Sequence, residues 1–554
     1  MTANPTPTLN QSTDYAALQT LSQKFWTWRA EHMPISYDDI PRMERPVGWV
    51  PDWSATAIAK RRDDLARFTE ELYAINCSAW PVSQQVDYRL IASALARVHW
   101  ELNITRSHEL NPDFYVHQTL GAIFLLLLKP APFDPDRCKE IIIRLRSVPK
   151  TTEAGKQNLT QNAIRPFAIA AIEKLTKVRQ CLSTVATELE PFFDPAQIPD
   201  LKLATDEAMV SLESFRTWLE AELPNMDVNT AVGQDSYCYF LKQVALLPFT
   251  PEQLLVMSKQ EWERSIAFEL FERTRNEGLP TPPVFATQAA QIEREAELEN
   301  DIRRFLERKS ILTMPDWVKH YHNLPLPSYV APLSFMGVTD DLTSATRLNE
   351  DGISYIKVPS ADLDYFSLAI ARDPRPLIVH EGVPGHYLQL VLSWAHENPI
   401  RRHYYDSGAN EGIGFYAEEL MMQFGLFDDS PHTREVLYSF MKLRAVRVEV
   451  DVKLALGLFT IDDAAAYLQK VADLDPSTAW QEATFFASAP GQAITYQIGK
   501  LQIISFLADA RRIQGDEFNL RSFHDYVWKN GNVPIALLRW ELLGSSDETE
   551  TLAG

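Results

Sequence analysis

The chain has 554 residues, 45% of them hydrophobic, and carries 74 acidic against 53 basic residues for a formal net charge of −21. That is ample for one large core or for several ordinary domains. The acid excess argues against nucleic acid or an anionic membrane as partner, and no basic tract, finger spacing or RNA-binding aromatic motif offsets it.

Residues 1–15 are polar, without a basic start followed by an apolar stretch. They are expected to be disordered and not a secretory signal, which makes a cytoplasmic location the expectation. Apolar residues then recur at helical spacing, as in DYAALQTLSQKFWTWRAEH at 14–32. Cys77, Cys138, Cys181 and Cys238 lie far apart, which predicts reduced thiols and no disulfide framework. LGAIFLLLL at 120–128 is far shorter than the roughly 20 residues that span a bilayer, so it predicts a buried helix. Proline clusters at 129–136, 278–284 and 324–332 mark places where helices stop.

SIAFELFERTRNE at 265–277 reads as an amphipathic helix, and the charge-laced 291–310 as a long, solvent-facing one. GISYIKVPS at 352–360 is the best strand, able as an edge strand to pair with an extended substrate. From 375 onward the pattern is again helical. The expected fold is mostly α: a helical region over 16–330, then a region over 331–554 with a small β segment at 331–360. Whether these are separate domains is not visible in the sequence.

The segment RPLIVHEGVPGHYLQLVLSWAHEN at 375–398 contains His380-Glu381 and, six residues after His380, His386. Zinc hydrolases need neutral imidazole ligands, a carboxylate ligand and a carboxylate base. A His-Glu pair followed by a second His on one helix is a common way to supply three of these groups. Six residues at about 100° each put the second His about 120° from the first on a regular helix. The pattern therefore requires a helix distorted at Pro384 and Gly385; otherwise the two histidines are unrelated.

The helical segment at 407–427 supplies Asn410-Glu411-Gly412, then Tyr416 and Glu418. It looks like the third-ligand helix of zinc aminopeptidases of the gluzincin kind, which makes Glu411 the third ligand. Glu418, two turns on along the same face, is placed to accept the free N–H of a ligating imidazole. The alternative makes both glutamates solvent-facing, yet their neighbours are apolar, and a buried carboxylate needs a partner.

With both segments in hand, the chain resembles the bacterial and fungal family called domain of unknown function 885. The shared motifs are His-Glu-x-x-Pro-Gly-His at 380–386, EGIGFYAE at 411–418, Arg444 and Arg447 followed by Asp451, and PGQAITYQIG at 490–499. The resemblance implies a zincin-like helical metallohydrolase. It would cleave an amide or peptide bond in a peptide or small molecule with Zn²⁺ held by His380, His386 and Glu411. Glu381 would be the general base and Tyr496 the oxyanion donor. Arg447 would either pair with Asp451 four residues on or touch substrate.

Two rivals are a catalytically dead helical binding protein of the same fold and a Ser or Cys hydrolase. No Gly-x-Ser-x-Gly elbow or Cys-His arrangement supports the latter. The chain departs from the family at Tyr387, Ile413, Ala455 and the Phe485-Phe486 pair, where polar or larger residues are usual. If these positions line the site, they favour a hydrophobic substrate, such as a specialised metabolite, over free peptides.

Overall fold

The structure is a computed structural model that describes residues 9–36 and 43–553. It is mostly helical, with one three-stranded sheet. The first helix, Leu9–His32, begins before the end of the segment expected to be disordered, whose residues 1–8 lie outside the described ones. Tyr15 explains the earlier start: its hydroxyl donates to Asp87 at 2.6 Å, fixing the helix to the Val82–His99 helix. Leu18, Leu21 and Phe25 are buried from the same helix. They join a continuous apolar core whose members run from Leu18 to Leu552, so both halves of the chain share it.

The apolar run at 120–128 is buried as expected, entering as a π turn and continuing as the Ala122–Leu128 helix. The four cysteines are free thiols, Cys138 buried and the others half-buried. Among the described residues no helix is long and apolar enough to cross a membrane.

The helix read as solvent-facing, Gln288–Arg308, buries Gln291, Glu295 and Glu299 with four apolar residues. The correction has a local cause. Strand β1, Tyr321–Pro325, packs on that face, and Glu299 takes up its charge there, accepting from Arg303 at 2.6 Å and pairing with His320 at 2.9 Å.

The strand expected at 352–360 is β3, Gly352–Ile356, and it is not an edge. It lies between β1, which pairs with it in parallel, and β2, Asp340–Asp341, which pairs with it antiparallel. A substrate strand therefore has no free edge of β3 to join. The sheet does stand beside the His-Glu segment: the Tyr321 ring packs so tightly on Gly382 that a Cβ there would meet it at 2.6 Å.

Candidate metal centre

Two helices, and not one distorted helix, present the histidines. The first runs from Arg375 through Leu377 and widens into a π turn over Ile378–Gly382, which carries His380 and Glu381. It ends where the Val383 N–H closes on the Ile378 carbonyl at 2.8 Å. The second, His386–Trp394, starts on the other histidine. Only glycine fits the turn between them, because a Cβ on Gly385 would lie 1.7 Å from the His380 carbonyl oxygen. Trp528 donates to the Pro384 carbonyl at 2.7 Å and pins the same turn. The interruption cancels the 120° mismatch of the regular helix, and the two imidazoles meet edge to face with centroids 4.7 Å apart.

Glu411 comes from the Ser407–Gln423 helix, capped by Asp406, whose carboxylate accepts the Ala409 N–H at 2.8 Å. Its Oε2 lies 3.4 Å from Nε2 of His380 and 3.2 Å from Nε2 of His386. Gly414, on the next turn, leaves the room the rings occupy: a Cβ there would stand 3.0 Å from His386 and 3.1 Å from His380. Gly412 lets the Thr495–Gln514 helix approach closely, since its Cβ would meet the Gly499 backbone at 2.7 Å. That approach brings the Tyr496 ring parallel to His380, with centroids 6.2 Å apart and an 18° tilt.

His380, Glu381 and His386 each offer a ligand atom within 4.8 Å of the others. The fit to a cation is closer for His380, His386 and Glu411. A tetrahedral zinc with bonds of about 2.0–2.1 Å sets its ligand atoms about 3.3 Å apart, and the two Glu411 separations match that edge. His386 Nε2 and Glu411 Oε2 are buried without a hydrogen-bond partner, aimed at each other's space. A dication between them would satisfy both atoms.

The electrostatics agree. Burial disfavours charge on Glu411, yet the adjacent His386 and His380 hold its carboxyl far below the usual range. Burial would likewise lower His380, but Glu411 and Glu418 overcome it and raise His380 to about 10. A protonated imidazole among these carboxylates balances their charge, a balance that a bound cation would equally supply.

Glu418 sits where the sequence places it: its Oε1 is 2.6 Å from His380 Nδ1. The same oxygen is 3.1 Å from Arg444, whose role the sequence did not reveal although the residue stands in a quoted motif. Glu381 Oε2 lies 3.9 Å from His386 Nε2, and its side chain is 20% exposed, so it alone of these groups reaches outward. Arg447 does not pair with Asp451. Its guanidinium is held by Glu482, with one bond of 2.9 Å, and packs over Phe366, Phe486 and Tyr496. Asp451 instead accepts the N–H groups of Gly491 and Ala493 and the Tyr237 hydroxyl, each within 2.9 Å, and so shapes the turn before Tyr496.

Of the family departures, Tyr387, Ile413 and Ala455 are core residues that face no open site, while Phe486 lies under Arg447. Phe485 alone of the five lines a large cavity, of about 790 Å³. A second cavity, of about 1110 Å³, reaches Ser407, which is one helical turn before Glu411. Neither has His380, His386 or Glu411 in its wall.

Fold and site together define a mostly helical protein with a buried His-His-Glu cluster, its outer carboxylate and arginine, and a neighbouring glutamate facing outward. The chain belongs to the family described as bacterial protein of unknown function (DUF885), which it matches over residues 44–312 and 336–542. Among the solved structures that share its fold are two of similar length. One is described as "a putative lipoprotein of unknown function from Shewanella oneidensis"; it is 16% identical, with a TM-score of 0.71, and the match covers 97% of this chain and 100% of that one. The other, "the putative lipoprotein from Colwellia psychrerythraea", is also 16% identical, with a TM-score of 0.74 and coverage of 98% and 99%. No curated protein matches the chain.

Proposed function

We propose that this protein is a zinc-dependent, zincin-like hydrolase that cleaves an amide bond in a peptide or small molecule. The observation that carries the reading is the convergence of His380, His386 and Glu411, with Glu411 Oε2 3.4 and 3.2 Å from the two imidazole nitrogens and with buried His386 Nε2 and Glu411 Oε2 making no hydrogen bond. At such a site zinc supplies acidification of water and polarisation of a carbonyl.

The chain's own residues do the rest. Glu418 takes the Nδ1–H of His380 and leaves Nε2 free to ligate, while Arg444 offsets the charge of Glu418. Glu381 receives the proton of the attacking water at its carboxylate and passes it to the leaving nitrogen. Tyr496, parallel to His380, donates its hydroxyl to the developing oxyanion. Arg447, clamped by Glu482 beneath the Tyr496 ring, positions that tyrosine and does not itself touch substrate. Turnover of a panel of N-acyl amides and peptides by wild type and by Glu381→Gln tests the reading; hydrolysis at an equal rate by both would remove it.

A further inference from the structure

We propose that Arg97 anchors an anionic ligand group, a carboxylate, at the junction of the two large cavities, and that the ligand is amphipathic. Arg97 and Gln492 line both of these cavities and a small third one of about 20 Å³ between them. Arg97 is half-buried near the end of the Val82–His99 helix, with the Phe240 ring 6.0 Å from its guanidinium carbon. Among the described residues that guanidinium makes no hydrogen bond or ion pair, although Asp406 is near enough to feel its charge.

The carboxylates that could have served are engaged elsewhere. Glu101, which shares both cavities, is held by Arg29 through two bonds of 2.7 and 2.5 Å. Asp113 is held by Lys174 at 2.5 Å. Asp406 is turned to capping its helix through the Ala409 N–H, and burial outweighs that bond and the nearby charge of Arg97 to push its carboxyl up to about 6.

A guanidinium removed from part of its water without a partner is costly, and a carboxylate bound by two parallel N–H bonds compensates best. The walls on either side are aromatic: Phe25, Trp26 and Trp394 in one cavity, Trp53, Phe240 and Trp480 in the other. They suit apolar arms extending from that carboxylate. Ser407 bonds Gln492 beside Arg97, at 3.0 Å, and stands one turn before Glu411, so the anchored ligand lies next to the metal cluster. That the ligand is also the substrate rests on the hydrolase reading; that it binds here does not.

The test is calorimetric binding of hippurate and of its neutral amide, N-benzoylglycinamide, to full-length Glu381→Gln protein. The acid should bind about ten- to a hundredfold tighter, the range of a charge-assisted pair. Arg97→Gln in that background should abolish the preference and leave the amide's affinity unchanged, while Arg97→Lys keeps part of it. Equal binding of acid and amide, or a preference that survives Arg97→Gln, overturns the anchor. An Arg97-dependent preference in a protein without zinc or turnover upholds the anchor and removes only the hydrolase reading.

Discussion

Glu418 stands between His380 and Arg444, its Oε1 2.6 Å from the imidazole Nδ1 and 3.1 Å from the guanidinium. One carboxylate thus orients the His380 imidazole and is itself held in place by Arg444. Glu418→Gln should therefore keep the fold and weaken zinc affinity by about 10–100-fold, the usual loss for such an outer partner. Competition with a chelator measures this; unchanged affinity would show that the contact does not tune the metal site.

Gly414 and Gly412 separate two kinds of tightness. Gly414→Ala puts a methyl 3.0–3.1 Å from both imidazoles, so the rings must shift, and metal affinity should fall with little loss of stability. Gly412→Ala presses on the Gly499 backbone at 2.7 Å and should cost about 1–3 kcal/mol of stability, the usual range for overpacking. Denaturant midpoints and zinc titrations on the two variants would show the two effects exchanged if this assignment were wrong.

Tyr496→Phe should lower kcat by about 10²–10³-fold with a smaller change in KM, as when one oxyanion donor is removed. A kcat within a factor of about two of wild type would return Tyr496 to a packing role.

Lys500 is fully buried, 2.9 Å from Glu419 and 3.3 Å from Glu261. Burial opposes charge on Glu419, but Lys500 and Arg264 lower its pKa to about 2. A depressed carboxylate adds stability above its unfolded value of 4.5, and that stability is lost as pH falls toward about 2. Lys500→Met should cost about 3–5 kcal/mol at neutral pH, because it strands buried charge. The deficit should shrink below pH 4.5 as Glu419 takes up a proton. A deficit that does not vary with pH would point to lost packing.

The sequence was most informative where chemistry constrains residue type and spacing together. His380, His386, Glu411 and Glu418 come together as the resemblance implied, the break at Pro384 and Gly385 overcoming a His380–His386 spacing that a regular helix would splay apart. It misled where local spacing competes with distant contacts. Arg447 and Asp451 are well spaced for an ion pair, yet Glu482 takes the arginine from 35 residues away and backbone N–H groups take the aspartate. Strand β1 was hidden because it ends on Pro325, inside a stretch that reads as a helix stop. Its pairing with β3 turned an expected edge into a central strand and buried one face of a charged helix. Arg97 carried no signal at all, since only the fold shows which arginines make no hydrogen bond or ion pair.

The central claim is metal binding, and elemental analysis of the purified protein with its variants tests it most directly. The account predicts about one zinc per chain in wild type and in Glu381→Gln, and loss of that zinc in His386→Ala and in Glu411→Ala. A folded wild-type protein that takes up no zinc from supplemented medium, or one that keeps it in both ligand variants, would contradict it.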